Sequence, residues 1–143
     1  MSDERWFEST GTLHYDKSPD GGYRLVLNID KGISLFYRSL IPKYYKANPQ
    51  RYEPHISVIR KEKPKNLAAW GKYEGKRIKF IYSNYIHNGT QYWWLDCYSK
   101  ELEAIREELG LSIAPPHPSL GYHKPKDGYS KVFHTTIANF KAV

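Results

Sequence analysis

Apolar and polar residues change period several times along the chain, and each change marks an element. From Gly11 to Asp16 they alternate weakly, Ser18-Pro19-Asp20-Gly21-Gly22 supplies turn chemistry, and Tyr23 to Ile29 (YRLVLNI) is apolar enough for a buried strand. This stretch predicts a hairpin. From Lys31 the spacing widens to that of a helix: Ile33, Phe36, Tyr37, Leu40 and Tyr44 share a face, Asp30 is placed to cap it and Pro42 to kink it. After the polar stretch Lys46 to Arg51, Pro54 to Ile59 (PHISVI) alternates as a strand does, which sets His55 and Ser57 on one face.

Lys61 to Gly75 is basic, holds Pro64, and reads as a connector with one helical turn near Leu67 to Trp70. Arg77 to Asn84 and Gln91 to Tyr98 are β-rich runs on either side of His87-Asn88-Gly89, a strong hairpin signal. A second helix follows, with Ser99 as its cap, Glu101 and Glu103 in its first turn, Leu102, Ile105 and Leu109 on one face, and Gly110 to end it. The chain then passes through the loop Ala114-Pro115-Pro116-His117-Pro118, a short strand at Leu120 to His123, a turn from Lys124 to Ser130, and a last strand from Val132 to Lys141.

Laid side by side, the two halves share a plan. An apolar strand, a helix and a polar loop lead each time to a strand that carries a histidine with a hydroxyl residue two places on. Tyr23 to Ile29, the first helix and Pro54 to Ile59 correspond to Gln91 to Tyr98, the second helix and Val132 to Asn139. Two such units predict an α+β architecture of pseudo-symmetric ferredoxin-like halves in one domain: an antiparallel sheet, both helices on one face, and a cleft on the other.

The repeated motifs are Pro54-His55-Ile56-Ser57-Val58 and Phe133-His134-Thr135-Thr136-Ile137. A single histidine in a strand is usually structural, but two at equivalent places in matching halves are much harder to assign to chance. On these motifs and their order the chain resembles the 2H phosphoesterase superfamily, over roughly Tyr23 to Lys141. That group includes RNA 2′,3′-cyclic phosphodiesterases, 2′-5′ RNA ligase-like enzymes and phage phosphodiesterases that destroy cyclic-oligonucleotide signals in anti-CBASS defence. The short chain after the second motif favours the minimal phage type.

The resemblance implies a catalytic set of His55, Ser57, His134 and Thr136. The chemistry agrees: phosphodiester displacement needs one base and one acid, and two imidazoles can divide those roles while the hydroxyls hold non-bridging oxygens. The residues leave open which histidine is which. No carboxylate has a ligand-like spacing to either motif apart from Glu53, so no metal or other cofactor is expected. Ser57 stands where threonine is commoner in the family. Pro116-His117-Pro118-Ser119 is a competing His-x-Ser, but Pro118 would remove a ladder N–H, so His134 is preferred and His117 held in reserve. Tyr15, Trp94, Tyr122 and Lys124 are candidates for substrate contact, and of Trp93 and Trp94, which face opposite ways, only one can reach it. His123, Lys126 and Lys131 are weaker candidates, and packing or a solvated turn explains them equally well.

Composition sharpens this picture. The 143 residues carry 22 Lys and Arg against 15 Asp and Glu, a net charge of +7, and aromatics make up 15 %. A polyanionic partner is favoured: a small nucleotide or cyclic oligonucleotide, or RNA. The opposing class of reading is a basic module that stacks bases without turning them over. The single Cys97 excludes an internal disulfide and a cysteine zinc cluster, and no apolar run has membrane-spanning length. The expectation is therefore a cytoplasmic protein with neither a membrane nor a protein partner.

Overall fold

Every strand in the computed structural model, which describes residues 3–114 and 125–140, belongs to one antiparallel sheet. The strands are β1 (Trp6–Lys17), β2 (Tyr23–Asn28), β3 (His55–Arg60), β4 (Arg77–Ser83), β5 (His87–Asn88), β6 (Tyr92–Tyr98) and β7 (Phe133–Asn139). The helices are α1 (Lys31–Ser39) and α2 (Lys100–Glu108). Sheet order runs β4-β1-β2-β3-β7-β6, and β6 then pairs back to β4, which closes a six-stranded barrel with β5 appended.

This corrects the expected α+β architecture of ferredoxin-like halves with two helices on one face of an open sheet. The elements largely exist; their assembly differs. The expected hairpin of Arg77–Asn84 with Gln91–Tyr98 is only two residue pairs wide, Ile81 with Tyr98 and Tyr82 with Cys97. The Asn88-Gly89 turn instead joins the small β5 to β6, where His87 faces Trp94 and the Gly89 N–H donates to the Tyr92 carbonyl over 2.9 Å. Freed from β6, most of β4 runs beside β1, which is twelve residues long and not the short strand expected from Gly11.

The first half of β1 pairs only with β4 and its second half with β2. Gly11 sits where the partners change, and a Cβ there would lie 2.5 Å from the Asn28 carbonyl oxygen. The close backbone approach explains the glycine.

The helices serve two separate clusters. On α1, Asp30 caps Gly32 N over 2.8 Å as expected, but the helix ends before Pro42, and Phe36 and Leu40 are exposed. Its packed face is Ile33 and Tyr37, continued by Ile41, against Trp93, Leu95 and Ile137 of the other half. On α2, Ser99 accepts from Leu102 N and Gly110 takes a left-handed φ of 78° past the end, both as expected. Leu102, Ile105 and Leu109 join Leu13, Leu25, Val58, Ile78 and Phe80 in the larger cluster. Each helix packs on strands of the opposite half, so they do not share a face. Full burial of each large apolar side chain contributes about 1.5–3 kcal/mol. No helix among the described residues is long and apolar enough to cross a membrane.

Candidate active site

The strands β3 and β7 meet at one residue pair, Ile56 with Thr135. These are the middle residues of the two motifs, and both side chains are turned into the barrel, at 0 % and 1 % exposure. Alternation then sends the flanking residues outward. Antiparallel pairing about this point sets His55 beside Thr136 and Ser57 beside His134. All four line one small pocket, walled on the other side by Gln50, Glu53 and Pro54. That wall is pinned across the end of β7: Asn48 and Asn139 exchange backbone hydrogen bonds of 2.7 and 2.9 Å, and Asn139 Nδ2 donates to Gln50 Oε1.

The two histidines have different partners. His55 Nδ1 lies 2.7 Å from the Glu53 carbonyl oxygen. A carbonyl only accepts, so Nδ1 carries the hydrogen and Nε2 keeps its lone pair. Burial lowers the His55 pKa; the Glu53 carbonyl opposes this, and the positive fields of Arg24 and Arg60 reinforce it. His134 faces a carboxylate, with Nε2 3.3 Å from Asp96 Oδ1. The other Asp96 oxygen is 3.1 Å from His87 Nε2.

Asp96 is 3 % exposed, and burial alone would oppose its ionisation. The His134 and His87 rings beside its two oxygens overcome this and hold the carboxyl far below the usual carboxylate range, while the same contact with Asp96 raises the His87 pKa. Trp94 fills the space between the two rings, stacked on His87 at 5.6 Å and tilted against His134 at 5.3 Å. The assembly positions His134 from behind with a counter-charge and a flat aromatic wall.

A wider groove of ≈ 1140 Å³ opens from the same point and is lined by Lys17, Tyr23, Arg24, Tyr52, His55, Ser57, Arg60, Lys61, Tyr92, Thr136 and others. Tyr52 and Tyr92 are 65 % and 44 % exposed there, placed to receive the face of a base. A β-bulge shapes this wall. Between Leu25–Ile59 and Val26–Ser57 the register slips by one residue, so Arg60 lies on the same side as Ser57 although it is three positions further along the strand. A second bulge, at Trp93/Trp94, brings Trp94 opposite Thr136.

The candidates of the sequence therefore divide. His55, Ser57, His134 and Thr136 come together. Trp94 reaches the site, but as a support for His134, and Trp93 is buried in the α1 cluster. Tyr15 packs edge-on to Trp70 at 4.9 Å and lines neither the pocket nor the groove. Lys126 lies over Trp6 and Lys131 over Phe133. His117, Tyr122, His123 and Lys124 lie outside the described residues, as does the short strand Leu120 to His123. Sequence reasoning missed Asp96, His87, Arg24 and Arg60. The available signal was Asp96 itself, a lone carboxylate in the run WWLDCY, where burial is costly without a partner.

Among the described residues no group of three or more His, Cys, Asp or Glu side chains is arranged to hold a metal ion. No family model, no curated protein and no solved structure matches the chain.

Proposed function

We propose that the protein is a phosphodiesterase of RNA-type nucleotides, acting through two-histidine acid–base catalysis in the manner of the 2H phosphoesterases. The observation that carries this reading is the single β3–β7 pair, Ile56 with Thr135, which brings both His-x-Ser/Thr motifs to one pocket with unlike partners behind the two imidazoles.

In this mechanism His55 is the base. Its Nδ1 hydrogen is committed to the Glu53 carbonyl, and its lowered pKa keeps Nε2 free to take a proton from the attacking hydroxyl. His134 is the acid, protonating the leaving oxygen, and the buried Asp96 carboxylate 3.3 Å from its Nε2 holds the ring in place from behind. Ser57 and Thr136 donate to the non-bridging oxygens and hold phosphorus between the rings. A 2′-hydroxyl nucleophile leads to cyclic phosphate products from 3′-5′ linkages, including those of cyclic oligonucleotide messengers; water as nucleophile opens 2′,3′-cyclic phosphates. The buried lone Cys97 fits a reducing cytoplasm.

The test is incubation in EDTA with cyclic di- and trinucleotides, linear RNA and 2′,3′-cyclic mononucleotides, with products followed by chromatography. Turnover that persists with chelator and is lost in His55→Ala and His134→Ala supports the reading. Nucleotide binding without turnover of any substrate replaces it with a non-catalytic binding module.

A further inference from the structure

Arg24 on β2 and Arg60 on β3 are direct cross-strand partners. Like charges in that position destabilise a sheet. The bulge puts both on the groove side, and the next residue, Lys61, holds a left-handed φ of 68° with a side chain that has a Cβ. Such backbone is costly for a lysine and is characteristic of ligand-binding segments. Three cations are thus gathered at some cost to the fold.

The surrounding acids do not neutralise them. Five cations line the groove, Lys17, Arg24, Arg51, Arg60 and Lys61, against two carboxylates, Asp16 and Asp20. Asp16 forms an ion pair with Arg24 at 3.3 Å, and Asp20 feels the charge of Lys61 while its hydrogen bonds go to the Ser18 hydroxyl and Gly22 N, which leaves the cations in excess. Arg60 makes no ion pair with a carboxylate among the described residues. Along β3, Arg60 lies three residues beyond Ser57, about 10 Å at strand rise and less across the bulge. An arginine side chain spans the remainder.

We propose that Arg24, Arg60 and Lys61 form a second anion subsite that takes a non-scissile phosphate, one nucleotide away from the phosphate held between His55 and His134. The substrate class is then a nucleotide chain or ring with at least two phosphates, in preference to a 2′,3′-cyclic mononucleotide. A groove of ≈ 1140 Å³ has room for such a ligand, since pockets for single small molecules run to ~1000 Å³. Planar guanidinium pairs match the bidentate geometry of phosphate. This inference rests on the phosphodiesterase reading for the identity of the scissile phosphate, but not for the existence of the subsite.

The experiment is calorimetric titration of the full chain, in EDTA, with 2′-O-methyl diadenylate bearing or lacking a 5′-phosphate. The methyl group blocks the internal nucleophile, so binding is read without cleavage. The 5′-phosphorylated probe should bind about 10- to 100-fold more tightly, as expected for charge-assisted bonds. That preference should persist in His55→Ala and vanish in Arg24→Gln/Arg60→Gln. Equal affinities in the wild type, or a preference that survives the double substitution, overturn the subsite. A preference that depends on the arginines, in a protein that cleaves nothing, keeps the subsite and removes the enzyme. Arg60→Gln alone, which breaks no ion pair among the described residues and relieves the repulsion with Arg24, should lose most of the preference with a thermal midpoint no lower than that of the wild type; an unchanged preference counts against the subsite.

Discussion

Asp96→Asn isolates the support of the proposed acid. Asparagine keeps the shape of the side chain but removes its charge, and it cannot accept from both imidazoles, which sit 3.1 and 3.3 Å from the two carboxylate oxygens. Two unit charges about 4 Å apart interact with about 4 kcal/mol at an effective dielectric constant near 20. His134 is 40 % exposed on its side chain, so solvent screening cuts this to about 1.4–2.7 kcal/mol, or about a 10- to 100-fold loss in kcat. The discriminating assay pairs a natural ribonucleotide leaving group with 4-nitrophenolate, which departs without protonation. The variant should lose about 10- to 100-fold on the first and stay within about threefold on the second. Equal losses on both substrates would show that Asp96 serves the fold rather than the proton, and no loss on either would refute the assignment of His134 as the supported acid.

Two further outcomes follow from the same geometry. Because burial and the two arginines lower the His55 pKa, the acid limb of kcat/KM should fall below the ordinary histidine value of ~6.5, and Arg60→Gln should move it up; a limb at or above that value in the wild type refutes the role of His55 as base. The sign for stability is consistent: a depressed histidine favours the uncharged form in the fold, so stability is full above ~6.5 and declines as pH falls through it. Arg106, 3 % exposed, donates to both Glu62 carboxylate oxygens and to the Val58 and Ser112 carbonyls; Glu62 is 43 % exposed and regains water, so Arg106→Ala should lower unfolding free energy in urea by about 2–4 kcal/mol through the orphaned carbonyls and lost packing, and a cost under ~1 kcal/mol would refute its role as the pin between α2 and β3.

Most elements were legible because their signals are local. Ser99 to Gly110 carries a complete helix grammar of cap, first-turn acids, apolar face and glycine stop, and the structure follows it. Both histidine motifs were legible for the same reason, since alternation within a single strand fixes which residues share a face. Barrel closure was not legible, because it depends on which strand edges meet: β4 prefers β1, some seventy residues away, to the β6 that follows it across a turn. The α1 face was misjudged at Phe36 and Leu40 because periodicity allowed a stripe ending at either Leu40 or Ile41, and contact with Trp93 and Ile137 selected Ile41. Arg60 was hidden by the bulge in β3, which resets the parity on which strand reading relies.

The ring of strands has two narrow seams, a single residue pair at β3–β7 and two at β4–β6. Cut there, it separates into β1 to β4, which lie before Asn84, and β5 to β7, which lie after it. The two shells are consecutive pieces of chain, each carries one of the two pocket histidines, and each lends its helix to the other. The seam pairs and the helix crossings that join them are long-range, so their loop-closure entropy is met late in folding. The His55–His134 pocket is accordingly among the last features the chain completes, and a half-folded molecule, however much secondary structure it holds, has no site at all. Onset of turnover during refolding would time the docking of the shells rather than the formation of either one.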